Sequence, residues 1–127
     1  MNQNAENTKS AAAIGEVQIS SDVVAVVAAI AATEVKGVAS MAGNITNELI
    51  GRLGVKNLSK GVKIVMNEGI VWVDIALHVR YGYSIPAVCR QVQEKVKAAI
   101  ETMTGLQVDT VDVRIAGVQI ENGEKYD

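Results

Sequence analysis

The chain has 127 residues, 49% of them hydrophobic, and a formal net charge of -2 from 12 Lys and Arg against 14 Asp and Glu. That length suits one domain burying roughly two-thirds of its unfolded surface, and the slightly acidic balance supplies no global field for phosphate backbones or anionic lipid. A single cysteine, Cys89, excludes an internal disulfide, and with a single histidine, His78, it cannot form a closed zinc site.

Residues 1–13, MNQNAENTKSAAA, carry one lysine and no apolar run, which matches neither a signal nor a transit peptide and predicts a disordered tail before a domain at 14–120. In GEVQI, residues 15–19, Val17 and Ile19 alternate with Glu16 and Gln18, the pattern of a short half-buried strand. Ser20, Ser21 and Asp22 offer N-caps for a helix reaching about Glu34 or Lys36, with Gly37 placed to end it. Its body, VVAVVAAIAA at residues 23–32, has no polar face. At about 15 Å it is too short for roughly 30 Å of hydrocarbon, so it does not span a membrane. Something must cover it, either the following segment of the chain or a partner.

Residues 38–61 hold Gly43, Gly51, Gly54 and Gly61 among Asn44, Asn47 and Asn57, which reads as a glycine-rich loop with one helical turn near 45–53. Strands follow at 62–66 and 70–81, joined by Asn67-Glu68-Gly69. In the second, Val71, Val73, Ile75, Leu77 and Val79 share one face, and Trp72, Asp74, Ala76, His78 and Arg80 the other. Ser84 caps a helix to about Thr104, with Pro86 in its first turn and Gly105 past its end. Its apolar stripe is Ile85, Val88, Cys89, Val92, Val96, Ala99, Ile100 and Met103, while Arg90, Glu94, Lys97 and Glu101 lie outside. A last strand spans 107–120 with Gly117 as a bulge, before a polar tail at 121–127. The predicted class is α+β, in the order β-α-β-β-α-β, with two helices packed on one face of an antiparallel sheet.

Few residues suggest chemistry. His78 and Asp74 share a strand face near Asp112 and Arg114, a set that acid-base catalysis could use but that more simply forms a cross-strand charge ladder. Cys89 sits in the apolar stripe and reads as a small core residue rather than a nucleophile. No hydrolase, metalloprotease or dinucleotide motif occurs, so neither enzymatic activity nor a cofactor or metal is expected. LIGRLG, residues 49–54, is similar to the G-x-x-G loop of KH domains, and Arg52, Lys56, Lys60 and Lys63 give this stretch a local positive bias. The candidate protein interface is Val23, Val26, Val27 and Ile30 on the first helix, together with Trp72 on the sheet.

Four segments carry a family resemblance: GEVQISSDVVAVVAAIAATEVKGV (15–38), KGVKI (60–64), VDIALHVRYGYSIPAV (73–88) and VQEKVKAAIETMTGLQVDTVDVRIAGV (92–118). With them the chain resembles the alkaline shock protein family, small bacterial proteins of the envelope stress response. The resemblance implies a non-enzymatic protein with no catalytic residues to carry over. It also implies partners: some members reach the membrane through an anchoring protein, and others are encoded beside fatty-acid metabolism genes, including acetyl-CoA carboxylase subunits. The element order is similar to that of ring-building domains in sporulation channels, an analogy that favours self-assembly. The expectation is a cytoplasmic scaffold that forms a homo-oligomer or docks a protein partner, membrane-anchored or acetyl-CoA carboxylase-related. The alternative is a regulatory single-stranded nucleic-acid binder using residues 51–63.

Overall fold

The computed structural model describes residues 15–41 and 61–120. The tail expected at 1–13, the helical turn near 45–53 and the polar segment 121–127 lie outside the described residues.

Helix α1 runs Ser21–Thr33. Ser20 caps it from an extended conformation, its Oγ accepting the Val23 N–H at 3.3 Å. No strand forms at 15–19, contrary to the alternation there: Val17 is 86% exposed. A five-residue alternation with two apolar members does not make a strand without a ladder partner, and Ile19 instead packs on the core from the position before the cap, where a hydrophobic staple fixes the chain's entry into a helix. The helix ends at Glu34, and the chain turns at Gly37 with φ +101.

Strand β1, Val38–Met41, is the second departure, because it occupies the start of the expected loop. It is only four residues long and holds Ser40 among Val38, Ala39 and Met41, too little for a periodicity to register. Strands β2, Val62–Asn67, and β3, Ile70–Arg80, form a hairpin whose turn residues Glu68 and Gly69 have φ of 51 and 81, the two left-handed positions of a tight hairpin turn. Helix α2, Ile85–Thr104, begins at Ser84, whose Oγ accepts the Ala87 N–H at 3.3 Å, and ends at Gly105 in the left-handed region. Strand β4 is Gln107–Gln119.

Central strand β3 pairs with every other strand of the sheet. One of its edges is shared end to end, β1 pairing with the Leu77–Val79 part and β2 with the Ile70–Ile75 part, both antiparallel. Strand β4 takes the other edge and runs parallel to β3 from Ile70↔Gln107 to Arg80↔Gln119. The α+β class and the helix layer stand, but the sheet is mixed rather than wholly antiparallel. A 20-residue helix between β3 and β4 carries the chain back to the starting end of β3, and parallel pairing follows from that return.

Both helices pack on the face that carries Val71, Val73, Ile75, Leu77 and Val79, all at most 2% exposed. Helix α1 answers its own apolar run: Val24, Ala25, Val27, Ala28, Ala29, Ala31 and Ala32 are buried against α2, β1 and β2. Alanine-rich surface lets the two helices and the sheet approach closely, so this helix has almost no solvent face to make polar.

Candidate functional site

Among the described residues, the helix layer leaves an apolar groove at the seam of α1 and α2. Val27, Ile30, Ala31 and Glu34 line it from α1, and Lys95, Ala99 and Met103 from α2, around about 220 Å³. These positions recur at three and four along each helix, so each set forms one face. Met103 is 70% exposed and Val23, at the α1 end of the same face, 49%. Lys95 and Glu34 close one rim with an ion pair at 3.6 Å between half-exposed side chains. Beyond Lys95 a more polar cleft continues past Val35, Gln91 and Glu94.

Of the residues proposed from sequence, Ile30 lines this groove and Val23 is exposed at its α1 end, Val26 is half-buried and packs against the core, and Val27 is 8% exposed and belongs to the core as well as to the groove floor. Trp72 is not brought to them. The pleat turns it to the opposite side of the sheet, where it is 37% exposed between Val65 on β2 and Thr110 on β4. Met103 and Ala99 repeat with the apolar stripe of α2, yet only Val88, Val92, Val96 and Ile100 of that helix are buried. Met103, one turn past that stripe's outer edge, falls on the groove instead.

On the open sheet face, Asp74 receives a hydrogen bond from Arg114 Nε at 3.2 Å, across the β3–β4 pair. His78 is flanked by Ser40 on β1 and Gly117 on β4, and a Cβ at Gly117 would lie 2.9 Å from the imidazole Nδ1. Asp74 is thus engaged by an arginine rather than aimed at the histidine. Cys89 is half-buried, and burial pushes its thiol up from the ordinary range, which disfavours the reactive thiolate. Among the described residues no cluster of three His, Cys, Asp or Glu could hold a metal, and no helix is long and apolar enough to cross a membrane. Arg52, Lys56 and Lys60 lie outside the described residues. Lys63 projects from β2 opposite Asp74, so its nearest strand neighbour is acidic.

A third arrangement was not legible in the sequence. Gln93, Lys97 and Glu101 follow one another at intervals of four on α2 and reach the edge of β4 that faces away from β3. Glu101 Oε2 accepts the Val108 N–H at 2.9 Å, Lys97 Nζ donates to the Val108 carbonyl at 3.2 Å, and Gln93 Nε2 donates to the Val111 carbonyl at 3.0 Å. Each lies one position after a buried valine or isoleucine of the stripe, at Val92, Val96 and Ile100, which is the one sequence sign of its direction.

The family model for the alkaline shock protein family, described as having a cell envelope-related function, matches residues 9–120. Two Bacillus subtilis (strain 168) proteins are similar in sequence: YqhY, 37% identical over 108 residues covering 85% of this chain and 80% of that protein, and YloU, 34% identical over 110 residues covering 85% and 92%. A solved MamM CTD variant aligns with a TM-score of 0.49 at 14% identity, over 77% of this chain and 98% of that one.

Proposed function

The chain belongs to the alkaline shock protein family, of cell envelope-related function, and we propose that it serves there as a non-enzymatic docking protein whose α1–α2 groove receives apolar side chains of another protein. The groove is the observation that carries this reading. Met103 is 70% and Val23 49% exposed, and half-buried Ile30 lines the groove between them, so apolar side chains from both helices keep surface in water. Apolar surface rimmed by an ion pair is the usual composition of a protein interface, with the apolar part supplying most of the affinity and the charges fixing register. Envelope location then comes from the partner, which fits a chain whose described helices do not cross a membrane. The same proposal covers a membrane-anchored partner and one related to acetyl-CoA carboxylase, because both would present protein to the groove.

A photo-crosslinking amino acid in place of Met103, in cells expressing the full chain, tests it. The expected product is one dominant adduct with a different protein, abolished by Ile30→Glu while circular dichroism shows the variant folded. No adduct above background, or an adduct indifferent to Ile30→Glu, overturns the groove as the docking site.

A further inference from the structure

The long edge of β4 presents a second and separate surface. Along a strand, the N–H and C=O of one residue point to one edge and those of the next residue to the other. The contacts from α2 show that Val108 and Val111 point outward, away from β3. The register from Val111↔Val73 to Ile115↔Leu77 is unbroken, so Val113 and Ile115 also point outward, and among the described residues nothing pairs with them. The Gly117 irregularity then ends the run. Lys97 and Glu101 therefore occupy the edge at Val108, the bulge interrupts it at Gly117, and between them residues 111–115 remain as an open ladder.

We propose that this open ladder pairs with the same ladder of a second copy of the chain, antiparallel, about a two-fold axis through Val113. Outward residues must face outward residues, which restricts the axis to a residue rather than a peptide bond. An axis at Asp112 sets two carboxylates opposite each other, and one at Arg114 sets two guanidinium groups opposite each other; both are unfavourable. An axis at Ile115 runs Val113 into the bulge. With the axis at Val113, Asp112 faces Arg114 of the second copy twice, on the open sheet face where Arg114 already holds Asp74. Val111 then faces Ile115 of the copy on the helix side, where Val113 and Ile115 are half-exposed and gain cover. In the same register Val108 meets Val118, so the side chains at Val108 and the bulge before Val118 both limit the ladder to residues 111–115. The Val111 carbonyl has a second lone pair and can keep Gln93 while accepting from the copy. The edge is thus guarded where extension would be indiscriminate and open where its own sequence is self-complementary.

Absolute mass by size-exclusion chromatography with light scattering, over a wide concentration range, tests the pairing. Wild type should reach twice the mass of the chain. Asp112→Arg and Arg114→Asp should each raise the dissociation constant roughly tenfold or more, because each sets like charges opposite one another. Mixed together, the two variants should recover the dimer, since every facing pair is again of opposite sign. Asp112 makes no ion pair within the chain among the described residues, so Asp112→Arg decides the matter alone if Arg114→Asp fails to fold. A monomeric wild type, a dimer unaffected by Asp112→Arg, or a mixture of folded variants that stays monomeric would overturn the proposal. Ile30→Glu should leave the dimer intact, which separates this surface from the α1–α2 groove.

Discussion

Glu101 Oε2 accepts the backbone N–H of Val108 at 2.9 Å, tying the last turn of α2 to the edge of the strand that follows it. Lys97 holds the carbonyl of the same residue and lies 3.7 Å from Glu101, so both edge groups of Val108 and both charges are satisfied together. Hydrogen bonds to ionised groups contribute about 1.5–3 kcal/mol when sheltered, less here because the Glu101 side chain is 35% exposed. Glu101→Ala is expected to destabilise the fold by about 1 kcal/mol in urea titration and to speed hydrogen exchange at the Val108 amide. Glu101→Gln keeps an acceptor oxygen and should lie between the two; exchange at Val108 unchanged in Glu101→Ala would show that the contact does not persist in solution.

Glycine is required at position 37 for two reasons that can be separated. Its φ of +101 strains any side chain, and a Cβ there would lie 2.7 Å from Val88 Cγ2 and 2.9 Å from Tyr83 Cδ2. Gly82 has a similar φ of +97 with open space around its Cβ position. Gly82→Ala is expected to lose about 1–2 kcal/mol from backbone strain alone, and Gly37→Ala a further ~1–3 kcal/mol as Val88 and Tyr83 are displaced. Equal losses in denaturant titration would mean that α2 and the α1–β1 turn do not meet as closely as the geometry has them.

Ser20, Ser84 and Gly105 were legible because a cap acts through its own side chain or its own φ, and the β2–β3 hairpin because period two extends over many residues. The direction of β4 was not legible, since a parallel and an antiparallel strand bury the same valines; only the return along α2 decides it. Strand β1 was hidden because its four residues gain a partner, the Leu77–Val79 part of β3, only in three dimensions. At the candidate site, Ile30 is legible as an apolar residue without a polar neighbouring face, whereas Met103 repeats with the core stripe, Lys97 and Glu101 fall on the outer side with the other charges, and nothing local marks Gln93. Their directions depend on where α2 crosses the sheet edge, which no local period encodes.

Met103 and Ile100 measure that crossing. Ile100 is fully buried and Met103 is 70% exposed, although both repeat on the apolar side of α2. Ile100→Ala is expected to cost about 2–5 kcal/mol through lost transfer energy and the cavity left behind, and Met103→Ala to stay within about 0.5 kcal/mol. A large loss on truncating Met103 would place it in the core and remove one wall of the proposed docking groove.

Cys89 gives the pH test. Burial raises its thiol pKa in the folded chain, so as pH climbs the unfolded chain releases this proton first and is favoured by doing so. The contribution to stability is whole below the unfolded-state pKa and is lost as pH rises toward the folded-state value. Stability should therefore decline in mildly alkaline solution, and Cys89→Ala should flatten that part of the profile. Because the thiolate is the species alkylated, iodoacetamide should label native Cys89 more slowly than the denatured chain at the same alkaline pH. Equal labelling rates, or an alkaline decline that Cys89→Ala leaves unchanged, would mean that the thiol is solvated as freely in the fold as out of it.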